Sequence, residues 1–441
     1  MTNPTATVKI WGDTAGYISM QNNRIFFQYA PEFLKRGIEL SPIRVPLNKR
    51  VYNFTSLNNE TFKGLPGFIA DSLPDKFGTM VLNQWLARQG RPENSYNTIE
   101  RLLFQGNRSM GALEFEPDLK TIKTTKEKIE IEELVKAASE VLTKKSALNT
   151  NFKEGDDALE TILKIGTSAG GARPKAIVAY NKETQEVLSG IKPAPEGFEQ
   201  YLLKLDAKIE ENELKPESSY YCRLEYSYYK MALACGIEMQ DSMLIESGQR
   251  SHFLTKRFDR TKVDGNEEKV HMVSLTGMCH YDFNIPQSTS YEQLFEAMRG
   301  LKLPKQDFEQ VFRRMVFNVV ACNNDDHPKN FSFLLPKGET QWQLSPAYDL
   351  TFACKKGHPY LGMHQMTLCG KSRVEDIYKS DLEYIGKQIG IRRPIEIIDQ
   401  ITDIVDNMEQ YMDKRIPQEI IDRIQAERSI TNKQIKTGLH I

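Results

Sequence analysis

The chain has 441 residues, enough for two or three domains with a sizeable core. Lys and Arg total 58 against 59 Asp and Glu, and the resulting net charge of −1 gives no global field that would draw the protein to nucleic acid or an anionic membrane. No run approaches the roughly 18 apolar residues of a spanning helix, Met1–Thr7 lacks the basic-then-apolar plan of a secretion signal, and the six cysteines show no Cys-x-x-Cys pairing, so a cytoplasmic protein with reduced thiols is expected.

In chain order, Val8–Trp11 and Arg24–Tyr29 read as strands. Phe68–Asp75 leads into Met80–Leu86, apolar at helical spacing, and Gly111–Phe115 closes a small N-terminal α/β domain over residues 1–120. Lys120–Lys128 loses hydrophobic periodicity and is the best linker candidate. An amphipathic helix over 129–142 and a second over Ala158–Leu163 precede a glycine-rich stretch, Gly166–Lys175. Ala176–Tyr180, Tyr201–Leu205 and His252–Lys256 then read as strands of one sheet, with a helix over Arg223–Ala234 packed on it. Residues 121–262 form this middle domain, and 263–441 are mainly helical, so the fold class is α+β.

The densest chemistry lies at Asn323–Asn330, reading Asn-Asn-Asp-Asp-His-Pro-Lys-Asn, followed after a hairpin-like stretch by Pro346-Ala347-Tyr348-Asp349. Asp325 and Asn330 have the Asp-x-x-x-x-Asn spacing of a kinase catalytic loop, in which the Asp accepts the substrate hydroxyl proton and the Asn holds a Mg²⁺. Asp349, returned by the hairpin, has the place of the second metal-binding Asp. The preceding run Met315–Ala321 is apolar, and a loop buried against it with two adjacent carboxylates calls for a cation.

With that loop as anchor, the middle domain has the element order of a kinase small lobe and the last domain that of the large lobe, a bilobal plan. The stretch Gly166-Thr167-Ser168-Ala169-Gly170-Gly171, with Lys175 beyond it, matches neither the Walker nor the Rossmann pattern but becomes a lid for ATP phosphates. Lys204, inside an apolar strand, needs a partner, and Glu225 is the candidate; alternatively Lys204 faces solvent, because strand alternation alone does not fix its side. Lys256-Arg257-Phe258-Asp259 enters a polar turn where an adenine-reading hinge is expected, with Phe258 on the base and Asp259 on the ribose; the other reading is a hairpin in which Arg257 and Asp259 pair. His327 and Lys256 join the nucleotide set, and Lys329 joins Asp325 in the catalytic set. His358, His364 and Cys369 fit no standard zinc spacing.

Ser168–Lys175, Arg257–Arg260, Asn324–Asn330 and Tyr348-Asp349 together resemble the HipA-type serine/threonine kinases, toxins of bacterial type II toxin–antitoxin pairs. Gly64–Asp75 and Gly106–Leu113 look like the small N-terminal domain of those proteins, so the resemblance covers nearly the whole chain. It implies ATP and Mg²⁺ as cofactors, Asp325 as base, Asn330 and Asp349 as metal ligands, Lys204 on the phosphates, and Ser168 as an autophosphorylated serine, with Thr167 a neighbouring hydroxyl. Further implications are a small helix-turn-helix antitoxin through which DNA is bound, and an aminoacyl-tRNA synthetase as protein target. Two other readings are a co-repressor with little or no kinase activity and a small-molecule kinase of the aminoglycoside or choline type. The latter usually places His before the catalytic Asp, whereas His327 follows Asp325.

Overall fold

The computed structural model describes residues 4–93, 95–119, 128–143, 162, 173–206, 220–355, 357–358 and 360–437. Two compact units result: Met1–Leu40, Leu47–Cys222 and Asp241–Met272 form the first, and Ser41–Pro46, Arg223–Gln240 and Val273–Ile441 the second.

The first unit begins with an antiparallel sheet of β1 (Thr5–Ile10), β2 (Asp13–Gln21), β3 (Arg24–Tyr29), β4 (Tyr52–Asn53) and β5 (Leu113–Glu116), in the order β4-β3-β2-β1-β5. Alternation fixes its inner face: Ala6, Val8 and Ile10 on β1 and Ile25, Phe27 and Tyr29 on β3 are all buried. Strand β2 has no such legible pattern. It crosses closely over β3 at Gly16, where a Cβ would sit 2.5 Å from the Gln28 carbonyl oxygen and 2.7 Å from the Phe27 ring, so glycine is required.

A second antiparallel sheet follows, of β6 (Lys175–Tyr180), β7 (Val187–Ser189), β8 (Glu199–Lys204), β9 (Ser242–Ser247) and β10 (Arg250–Lys256), ordered β7-β6-β8-β10-β9. Ala176, Val178, Tyr180, Tyr201, Leu203 and Leu254 point into one core. There they meet Val81, Leu82 and Leu86 of the helix Lys76–Arg88 and Leu134, Ala138 and Val141 of the helix Ile131–Thr143. Each such leucine contributes about 1.5–3 kcal/mol by burial, so the N-terminal helix and the second sheet are held by common packing. Beyond β10 the chain forms a hairpin of β11 (Arg260–Val263) and β12 (Asn266–Lys269). Asp264 and Gly265 turn it, at φ of 50° and 77°.

The second unit is mainly helical, with helices at Tyr291–Gly300, Lys305–Val320, Lys379–Gln388, Pro394–Asp406 and Gln418–Thr437. Lys305–Val320 is its axis, burying Val311, Phe312, Met315, Val316, Val319 and Val320. Ser332–Leu335 and Gln343–Leu344 pair as a hairpin with Phe333 opposite Leu344, as the alternation predicts. The early segment Ser41–Pro46 belongs here: Ser41 is buried and Arg44 Nε donates to the Cys279 carbonyl at 3.0 Å. All six cysteines are free thiols, five of them buried.

Candidate active site

The helix Lys305–Val320 ends in a turn at Cys322, φ 56°, which frees the chain to run as a loop. Asn323 and Asn324 fasten its start: Asn323 N–H donates to Asn318 O at 2.9 Å and Asn324 N–H to Ala353 O at 3.1 Å. Five residues on, after the short turn Pro328–Asn330, the Asn330 side-chain amide donates to the Asp325 carbonyl at 2.8 Å. That bond closes the Asp-x-x-x-x-Asn segment on itself and leaves Asn330 Oδ1 as the amide atom available to a cation. Asp349 lies in the left-handed region, φ 55°, a conformation Asp tolerates better than most residues. Just before it, the Tyr348 hydroxyl donates to Lys329 O at 2.8 Å and meets Ser332 Oγ at 2.5 Å, tying this turn to the loop.

Asn330, Tyr348 and Asp349 line one small cavity with Asn323, Asp326 and Arg314, with about 10 Å³ open to water. An amide oxygen and a carboxylate are hard donors, and Mg²⁺ typically takes one or two protein oxygens and completes its shell with phosphate and water, so this pair fits it. No cluster of three or more His, Cys, Asp or Glu occurs among the described residues.

The loop's other residues take separate places. His327 and Lys329 both reach Phe283, whose ring centroid lies 5.6 Å from the His327 ring and 4.9 Å from Lys329 Nζ. Asp326 turns inward and is fully buried, so of the two adjacent carboxylates Asp325, half-buried, is the outer one. Sequence reasoning did not single out Phe283, Asp326 or Arg314. Arg314 is 2% exposed; its Nη2 donates to Ser345 O at 2.7 Å, while Nε and Nη1 have no partner among the described residues. Burial pushes its pKa down to about 10. Its only sequence signal was an Arg pair, Arg313-Arg314, inside a largely apolar helical run.

In the first unit, Lys204 is paired in register with Lys175 on β6 and with Phe253 on β10. Both lysines are buried, on the sheet face opposite the core that receives Ala176 and Leu203. That answers the question alternation left open. Like charges directly opposite on neighbouring strands repel. Arg173 stacks its guanidinium 3.6 Å from the Tyr221 ring centroid. Glu225 is half-buried on the helix Tyr221–Ala234. Gly166, Thr167, Ser168, Ala169, Gly170 and Gly171 lie outside the described residues.

The expected ribose contact and the hinge turn need correction. Asp259 is wholly buried: Arg257 binds it through two nitrogens at 2.9 and 2.7 Å, Arg260 at 2.8 Å, and Gly111 N–H at 2.6 Å. Burial would raise its pKa, but the two guanidiniums reverse this and hold it well below the usual carboxylate range. A ribose hydroxyl therefore has no access to it, and the polar turn expected as a hinge is the β11–β12 hairpin. Lys256 pairs with Glu199, and Phe258 is half-buried.

Two family models cover most of the chain: residues 6–116 match the HipA N-terminal domain and residues 167–412 the HipA-like C-terminal domain. The chain belongs to the HipA family. Its fold matches a solved complex described as the Shewanella oneidensis MR-1 toxin–antitoxin system HipA, HipB and operator DNA. The TM-score is 0.66 at 16% identity, over 97% of this chain and 96% of that one. The α+β, kinase-like fold read from sequence is the fold found. A Haemophilus influenzae protein named "Putative kinase" is 24% identical over 246 residues, 47% of this chain and 69% of that protein. A Sinorhizobium fredii protein of similar designation is 32% identical over 99 residues, 22% of each. No described helix is long and apolar enough to cross a membrane.

Proposed function

We propose that this HipA-family protein is an ATP- and Mg²⁺-dependent serine/threonine protein kinase that acts as the toxin of a toxin–antitoxin pair. The observation that carries the reading is the closed Asp325–Asn330 segment, with Asn330 and Asp349 lining one cavity. Asp325 accepts the proton as the substrate hydroxyl oxygen bonds to the γ-phosphorus, and the bond from that phosphorus to the β–γ bridging oxygen breaks, releasing ADP. Asn330 and Asp349 would hold Mg²⁺, which offsets charge on the phosphates when bound. Lys204 and Lys175 serve the phosphates, Glu225 orients Lys204, and Lys329 and His327 flank the transfer on the Phe283 platform. Phe258 and Lys256 remain on the nucleotide side; Asp259 does not.

Ser168 is the proposed autophosphorylation site, with Thr167 as the neighbouring alternative. A phosphate there adds about −1.5 to −2 charges where ATP phosphates must sit, so the modified protein binds ATP weakly. The proposed partner is a small helix-turn-helix antitoxin that supplies the affinity for DNA, because a net charge of −1 leaves this chain little counterion-release driving force. A translation-related protein, such as an aminoacyl-tRNA synthetase, is the proposed target.

The deciding experiment incubates purified protein with Mg²⁺ and ATP beside Asp325→Asn. Phosphoryl transfer should fall at least about a hundredfold in the variant, and mass spectrometry should find the modification between Gly166 and Lys175. Equal turnover in a folded Asp325→Asn protein removes the mechanism.

A further inference from the structure

Asp326, beside the candidate base, collects four hydrogen bonds in a fully buried site. Tyr291 OH donates to its Oδ2 at 2.7 Å and His364 Nδ1 lies 3.0 Å from the same oxygen. The backbone N–H of Gln365 donates to Oδ1 at 2.7 Å and that of Met366 at 3.4 Å. Burial and the Asp326 charge push the Tyr291 phenol well above its ordinary pKa, so it stays a donor. No Lys or Arg reaches this carboxylate among the described residues, and His364 meets it through Nδ1. An uncompensated buried carboxylate is costly, so each of these donors matters.

The bonds run in two directions. Inward, Asn318 Nδ2 donates to Tyr291 OH at 3.0 Å and Asn323 Nδ2 to Asn318 Oδ1 at 2.9 Å, which fixes the loop to the two helices beneath it. Outward, the grip falls on the segment after Asp349: Asn324 Nδ2 donates to Leu361 O at 3.0 Å, and Asn324 O accepts from Gln365 N–H at 3.2 Å. Gln287 holds the same segment from its far side, through Gln365 O at 2.8 Å and His364 O at 2.7 Å.

We propose that Asp326, Tyr291 and His364 are positioning residues that dock segment 361–367 on the catalytic loop and fix the backbone carrying Asp325. In many kinases the segment beyond the metal-binding Asp is ordered by a phosphate that pairs with basic groups near the loop. Here the charge is reversed and built in, because the loop supplies a buried carboxylate and the segment supplies the donors. The docked state therefore needs no added phosphate. The inference rests on the kinase reading for its effect on turnover, but not for the docking itself.

The test has two readouts. Hydrogen exchange of peptides covering 361–367 should speed up at least about tenfold in Asp326→Ala and His364→Ala, as expected when hydrogen bonds to a charged group are lost, while β6–β10 keep their rates. In phosphoryl transfer, both variants should lose at least about tenfold in kcat with KM for ATP unchanged. Asp326→Asn, which keeps an oxygen for the Gln365 N–H, and His364→Gln should recover most of both. A folded Asp326→Ala protein with wild-type exchange or wild-type kcat overturns the proposal, as does a phosphate on 351–367 that activity requires. If Asp326→Ala does not fold, Tyr291→Phe decides, since it removes one hydroxyl and unchanged exchange there refutes the docking role. A wild-type protein that transfers no phosphate defeats the kinase reading alone, and the exchange readout still judges the docking.

Discussion

Replacing Asp259 by Ala would separate two roles for the Arg257–Arg260 motif. The change leaves the Arg257 and Arg260 side chains, 1% and 7% exposed, facing each other without the carboxylate that joins them, and leaves Gly111 N–H without its acceptor. Breaking a buried ion pair in this way costs about 3–5 kcal/mol, and in a unit of this size that lowers Tm by roughly 6–20 °C. Calorimetry, or urea unfolding followed by fluorescence, reads the loss, and ATP titration of the folded fraction reads the alternative. On the ribose reading Asp259→Ala keeps its stability and loses ATP affinity; on the structural reading it loses stability and the folded fraction binds ATP normally. A Tm change below about 2 °C with weakened ATP binding would refute the burial argument.

Lys175→Met and Lys204→Met should each weaken Mg²⁺-ATP binding at least about tenfold, measured by calorimetry in an Asp325→Asn background; unchanged affinity would remove the cross-strand lysines from the phosphate site. For His252 and His271, burial drives the pKa down to about 4 in the folded state, whereas the unfolded chain takes up protons below about 6.5. Stability is then complete above that pH and drains as the pH falls toward 4, by about 2 kcal/mol per histidine at about pH 5, which paired urea titrations at about pH 7.5 and 5 would show. Arg314→Met should leave stability unchanged or raise it by about 1–2 kcal/mol, because two of the guanidinium nitrogens have no hydrogen-bond partner among the described residues; a loss above about 3 kcal/mol would show that the attraction of Glu238 and Asp307 outweighs the cost of burial.

What could be read from the sequence was what the chain encodes locally. The Asp325–Asn330 spacing lies within a single turn-and-loop, and the hairpin returning Asp349 declares itself by alternation, so both were visible. Strand β2 was hidden because its polar residues share neither face cleanly and its key residue, Gly16, is defined by what it must not touch. The role of Asp259 could not be read locally, since its burial depends on Gly111, 148 positions earlier. Asp326 was overlooked for the same reason: Tyr291 and His364 lie 35 and 38 positions away, and the local spacing to Asn330 singles out Asp325 without giving its neighbour a role.

The excursion of Ser41–Pro46 into the second unit has a consequence for how the protein is made. These six residues leave the ribosome early, yet the body they join, from Arg223 onward, emerges only after residues 47–222 have been synthesised. No single cut in the chain can then release the helical unit whole: a product initiated downstream of Pro46 would carry Asp325, Asn330 and Asp349 but lack the strap that Arg44 fastens at Cys279. Completion of the candidate catalytic unit thereby needs residues made before as well as after 47–222.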